Sequence, residues 1–196
     1  HLSNSEMKFS EIKDHLARFR VGIAGSGGLG SNCAVALARS GIGTLVISDF
    51  DIVEPANLNR QYFFINQVGM LKTAALKDTI ARINPDTIVI AHHERLNSLN
   101  IPEIFAACDI VVEAFDRNDM KEMLIETIQT RMPGIPVIVG SGVAGWGNNE
   151  IISYRKIDDT LYICGHETTS VDAEHPTMAP RVGFVANMQA NTGIEI

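Results

Sequence analysis

The chain has 196 residues, 45% hydrophobic and 20% charged, the composition of a globular domain rather than a disordered segment. Its formal net charge of -7 disfavours nucleic acid as a partner, because that binding needs a basic face. No run reaches the roughly 18 apolar residues of a membrane span, and the polar first residues do not resemble a signal peptide.

His1 to Ser5 reads as a cloning remnant and is set aside. Val21 to Ala24 is a short apolar run ending in glycine, which predicts a buried strand. Leu29 to Arg39 follows with Ala34, Val35, Leu37 and Ala38 at helical spacing and Gly41 as C-cap. Thr44 to Ser48 predicts a second strand, and Lys72 to Ile83 a helix stopped before Pro85. Then come strand Thr87 to Ala91, a short helix Pro102 to Ala107, strand Ile110 to Glu113, helix Asp119 to Arg131 and strand Pro136 to Gly140. Past Gly142 the pattern changes. Gly145 to Asn149 is a turn and Ile151 to Tyr154 an added antiparallel strand. Residues 165–178 read as a mobile loop, and Ala179 to Gln189 as a last helix. Continuous apolar strands alternating with helices predict a doubly wound, mainly parallel α/β sheet, Rossmann-like, with helices on both faces. Residues 1–196 form one domain, with the loop and last helix in 143–196.

Gly25-x-Gly27-x-x-Gly30 lies between a predicted strand and a predicted helix. There Gly25, Gly27, Gly28 and Gly30 let backbone approach phosphates, and the helix N-terminus offers unpaired N–H groups. This turn alone does not separate a nicotinamide cofactor from ATP. Asp49 ends the second strand, where an acidic residue commonly binds a ribose. Asp51 reads equally as a ligand or a loop cap. Asn57, Arg60 and Gln61 follow, and Lys72 opens the next helix. Two cations beside a triphosphate would stabilise charge building on the α-phosphate and departing pyrophosphate. Asp116, past the fourth strand, is the candidate magnesium carboxylate; capping the helix from Asp119 is the competing role. Cys33, Cys108 and Cys164 are far apart, which disfavours disulfides and zinc and points to a reducing cytoplasm.

Seven segments together resemble the ThiF/MoeB family of ubiquitin-activating-enzyme-like adenylyltransferases. They are Gly25-Ser26-Gly27-Gly28-Leu29-Gly30, Asp49 to Glu54, Asn57-Leu58-Asn59-Arg60-Gln61, Gly69-Met70-Leu71-Lys72, Arg82-Ile83-Asn84-Pro85, Glu113-x-x-Asp116 and Met178 to Gly183. The closest wording is that of the short ThiF-type proteins of thiamine biosynthesis. The resemblance implies binding of ATP and magnesium, adenylation of the Gly-Gly C-terminus of a small β-grasp sulfur carrier such as ThiS, and a homodimer. It implies Asp49 as the ribose ligand, Asn57, Arg60 and Lys72 as the phosphate set, and Asp116 as the magnesium ligand; Arg60, Lys72 and Asp116 are the catalytic candidates.

Three departures accompany it. The two C-x-x-C zinc pairs of larger members are absent, so no zinc is expected. The family's cysteine before Met-Ala-Pro is replaced by Thr168-Thr169-Ser170-Val171, and Cys164 reads as a small semi-buried residue. The N-terminal Arg-Tyr-x-Arg-Gln motif is absent; only Arg18 and Arg20 lie in that region. Trp146 reads as a packing residue, at the sheet edge or on a carrier's tail. Arg181 reads as a contact to the carrier or a second subunit, Arg117 as solvated, and His92 and His93 as polar strand-end residues.

Overall fold

The computed structural model describes residues 8–166 and 174–196. Helix α1 spans Phe9–Leu16, strand β1 Arg20–Ala24, helix α2 Gly28–Ser40 and strand β2 Thr44–Asp49. Two 3-10 turns, Pro55–Asn59 and Ile65–Gln67, lead to α3, Lys72–Ile83. Then follow β3 Ile88–His93, α4 Ile101–Ile104, β4 Ile110–Glu113, α5 Asn118–Arg131 and β5 Val137–Ser141. A hairpin of β6 Ser153–Asp158 and β7 Leu161–Gly165 precedes α6, Ala179–Glu195.

The seven strands form one sheet in the order β3-β2-β1-β4-β5-β7-β6. All neighbours are parallel except β6 against β7. Alternation along each strand sorts side chains to two faces. Val21, Ile23, Leu45, Ile47, Val112 and Ile138 pack with residues of α2, α3 and α6. Ala24, Val46, Val111, Val137 and Val139 pack with α4 and α5 on the other face. The doubly wound architecture is therefore observed.

Gly41 closes α2 at φ 104, with its N–H reaching back to Leu37 and Ala38, as expected for a left-handed cap.

Several boundaries differ from expectation. Helix α1 is unanticipated; its Leu16 is buried in the first-face core. The added antiparallel strand begins at Ser153 rather than Ile151, and β7 inserts between it and β5. Strand β6 also runs past the expected end at Tyr154 to Asp158, with every residue exposed, and β7 is unanticipated. The hairpin is set by its turn, where Asp158 Oδ1 accepts from Thr160 N at 2.7 Å and Thr160 Oγ1 at 2.8 Å. Of the expected loop, 165–166 and 174–178 are described. Thr177 bridges Ala144, and Gly145 N donates to Pro176 O at 2.9 Å. The substituted cysteine position, Thr168 to Val171, lies outside the described residues. Helix α6 continues six residues past Gln189, to Glu195.

Candidate functional site

The glycine turn follows from two close approaches. Gly25 has φ +96, and a Cβ at Gly30 would lie 1.8 Å from the Gly25 carbonyl oxygen. Only a residue without a side chain lets α2 start this close to the end of β1. Asp49, ending β2, holds the turn from outside: Oδ2 accepts from Ser26 N at 2.7 Å and Oδ1 from Asp51 N at 2.8 Å. Helix α2 has no side-chain cap and no acid in its first turn. The N–H groups of Gly28, Leu29 and Gly30 therefore lack intrahelical acceptors and face an anion-friendly end.

The segment after β2 is zipped to the start of α3. Val53 N donates to Met70 O at 2.8 Å, Lys72 N donates to Asp51 O at 3.0 Å, and Ile52 bridges Leu71. Lys72 is thereby set beside Asp51, with Nζ 3.7 Å from Oδ2. Its side chain is only 7% exposed, and 3.7 Å is too long for a hydrogen bond. Arg60 is brought in by α2: Ser31 Oγ accepts from Tyr62 N at 2.9 Å, and Asn32 Nδ2 donates to Arg60 O at 2.9 Å. Arg60 Nη1 donates to Asn59 Oδ1 at 2.9 Å, leaving Nε and Nη2 for other acceptors. Sequence reading missed Ser31 and Asn32; two polar residues one turn into a helix were the available signal.

These groups share a cavity of about 640 Å³ at the carboxyl ends of the strands, where open α/β sheets bind ligands. Gly25, Gly27, Gly28, Asp49, Asp51, Arg60, Lys72 and Asp116 line it. Gly30 and Asn57 do not. Gly30 serves the helix–strand contact. Asn57 is buried, with Oδ1 accepting from Glu54 N at 2.8 Å inside a 3-10 turn.

Asp116 is exposed and has no hydrogen-bond or ion-pair partner among the described residues. It is not the helix cap; Arg117 occupies that position and pairs with Asp119 at 2.6 Å on the surface. A single carboxylate on a cavity wall fits magnesium, which takes one or two carboxylates plus substrate phosphates. Among the described residues no cluster of three or more His, Cys, Asp or Glu could hold a metal on protein ligands alone.

Two further residues of this wall, Lys121 and Arg95, escaped sequence reading. Lys121 Nζ reaches Glu113 Oε2 at 2.5 Å and Gly140 O at 2.6 Å. Glu113 is fully buried; burial pushes its carboxyl above the ordinary range, and the Lys121 ammonium pulls the other way. Arg95 lies over the Phe50 ring, 4.3 Å from its centroid, and both line the cavity.

Other expectations are corrected. Arg181 is buried and donates to Ala144 O and Gly147 O, so it pins the 144–147 turn instead of facing a partner. Trp146 on that turn is 62% exposed and does not plug the sheet edge. His92 and His93 end β3.

Cys164 is fully buried, and burial pushes its thiol up to about 11; burial pushes Cys108 up to about 12 and Cys33 higher still. Reactivity follows the thiolate. Iodoacetamide at pH 8 is therefore expected to label none of the three cysteines in the native protein and all three in denaturant, read by intact mass. Rapid native labelling of Cys164 would reopen a role for that thiol.

Likenesses to known proteins agree with this geometry. The adenylyltransferase and sulfurtransferase UBA4 of Saccharomyces cerevisiae (strain YJM789) is 32% identical over 183 residues, covering 89% of this chain and 41% of that protein. The chain thus spans less than half of that relative. The molybdopterin-synthase adenylyltransferase of Salmonella typhimurium is 29% identical over 191 residues, covering 95% of this chain and 76% of that protein. Among solved structures, the tRNA N6-threonylcarbamoyladenosine dehydratase TcdA of E. coli, in complex with AMP, superposes with a TM-score of 0.84 at 20% identity, over 94% of this chain and 88% of that one. That likeness shows the fold. The ThiF family description itself matches residues 4–196. With the glycine turn, the Asp49 strand end and the Arg60–Lys72 pair converging on one cavity, the chain belongs to the ThiF family.

Proposed function

We propose that this domain adenylates the C-terminal glycine carboxylate of a small β-grasp sulfur carrier of the ThiS class, using ATP, within thiazole formation for thiamine. The observation that carries the reading is Lys72. It is a nearly buried ammonium on the cavity wall whose one ion pair, to Asp51, is too long to use its hydrogen-bonding capacity. Such a group suits a ligand with high negative charge.

In this reading phosphates lie on the N-terminus of α2 and the ribose faces Asp49. A carboxylate oxygen of the carrier bonds to the α-phosphorus. The bond from that phosphorus to the bridging oxygen breaks, and the electron pair leaves with pyrophosphate. The products are an acyl adenylate and pyrophosphate, and no protein nucleophile is needed. Arg60 and Lys72 stabilise the charge moving onto the leaving group. Magnesium, when bound with the triphosphate and held by Asp116, neutralises phosphate charge. Positioning a carboxylate against phosphorus is itself worth about 7–11 kcal/mol.

The test is exchange of labelled pyrophosphate into ATP with purified carriers ending in Gly-Gly. ThiS-type, molybdopterin-synthase-type and ubiquitin-like carriers form the arms. Exchange with the first arm alone is the expected result. Exchange only with another arm moves the assignment to that carrier, and no exchange with any carrier overturns the reading. A homodimer is part of the proposal. The exposed apolar side chains Phe64, Ile65, Val68, Met70 and Leu71 support it, and sedimentation velocity tests it.

A further inference from the structure

Two lysines line the cavity, and their surroundings differ in kind. Lys72 has its donors to spare. Lys121 is committed to the protein: of its three N–H groups, two meet Glu113 Oε2 at 2.5 Å and Gly140 O at 2.6 Å, and Phe115 O lies at 3.5 Å, the long limit of a hydrogen bond. Its position is also costly in isolation, since a cation at the end of the first turn of α5 opposes the helix dipole. The three acceptors lie on different segments. Glu113 ends β4, Phe115 lies in the connection to α5, and Gly140 lies near the end of β5. The other carboxylate oxygen, Glu113 Oε1, accepts from Phe115 N at 2.7 Å. The connection that carries Asp116 is therefore bonded at both the N–H and the carbonyl of Phe115, while Asp116 has no bond of its own among the described residues.

We propose that Lys121, through the buried Glu113 carboxylate, is a positioning residue that fixes the 113–116 connection and presents Asp116 to the metal of a metal–nucleotide complex. The inference rests on the functional reading above, and Lys121 acts without touching substrate. Groups that orient a metal-binding side chain typically change metal affinity by about 10- to 100-fold when removed.

The experiment is calorimetric titration with ATP, once with excess magnesium and once with EDTA, on wild type, Lys121→Met, Asp116→Asn and the double variant. Lys121→Met leaves a buried carboxylate unpaired, so Glu113→Gln/Lys121→Met, which removes both charges, is measured beside it. Melting curves establish folding. The expected result is a Kd for magnesium–ATP raised about 10- to 100-fold in the Lys121 variants, with ATP binding in EDTA nearly unchanged. In the Asp116→Asn background, Lys121→Met should add little, because the residue it positions is gone. Equal losses with and without magnesium would show a merely structural role and overturn the inference. So would wild-type magnesium–ATP affinity in the folded variants, or additive effects with Asp116→Asn. Wild-type protein that binds no magnesium–ATP would instead overturn the functional reading.

Discussion

Replacing Lys72 by alanine is expected to slow ATP–pyrophosphate exchange about 10²- to 10³-fold, equivalent to about 2.7–4 kcal/mol of transition-state stabilisation. The magnitude follows from where the charge sits. Lys72 is only 7% exposed, so water screens it little, and a fixed cation in such a site acts strongly on a developing anion. The fold should lose much less. Asp51, its ion-pair partner, is 54% exposed, and a carboxylate left in water carries a small penalty. Arg60→Ala is expected to act in the same direction with a smaller effect, because Arg60 is half-exposed. Exchange rates and melting temperatures measured on the same samples separate the two contributions. A fall in melting temperature parallel to the loss of exchange would mean that Lys72 is a structural residue.

The second large effect concerns the chain's own backbone. Gly30→Ala is expected to destabilise the domain by about 3 kcal/mol, at the upper end for overpacking. For a domain of this size that lowers the melting temperature by roughly 6–12 °C. The new methyl would lie 1.8 Å from the Gly25 carbonyl oxygen, and that obstacle is backbone rather than a side chain that could turn away. Gly183→Ala in α6 is the control. Nothing lies within 4 Å of the added carbon there, and alanine is the better helix former by roughly 1 kcal/mol. The two variants should move the melting temperature in opposite directions. If Gly30→Ala melts like wild type, the approach of α2 to β1 is looser than described.

The parallel strands were legible because both of their faces are buried, which writes them as unbroken apolar runs such as Val21 to Ala24 and Ile110 to Glu113. The β6–β7 hairpin was legible only in part: an added strand was expected near the start of β6, but its extension to Asp158 is exposed throughout and carries no apolar period, and β7 was not read as a strand. At the site, Gly25, Gly27, Asp49, Arg60, Lys72 and Asp116 could be named from the motifs and the family resemblance they carry. Their convergence could not, since it depends on Ser31 and Asn32 anchoring the 60–62 segment and on the 51–53 segment pairing with 69–72. Gly30 and Asn57 belong to the same pattern but do not line the cavity; Gly30 makes the close approach to Gly25, and Asn57 accepts from Glu54 N inside a turn. The Lys121–Glu113 pair gives no local signal, because the two residues are apart in the chain and meet only once β4 and α5 are in place. Arg181 looked like a surface contact because arginine usually is one; its two carbonyl acceptors make it internal.

Helix α6 covers the same face of the sheet as α2, with Val182, Val185, Ala186 and Ala190 buried there, and it comes last of the described elements. During synthesis the strands and α2 leave the ribosome well before the residues that seal this face. For that interval Leu29, Cys33 and Ala34 lack part of their apolar cover, and Gly28 lacks the neighbouring Val182. The growing chain therefore has the complete glycine motif before it has a firm place to hold it, and it exposes sticky surface meanwhile. Nucleotide capture should begin only when α6 docks, so that competence for ATP reports the sealing of this face.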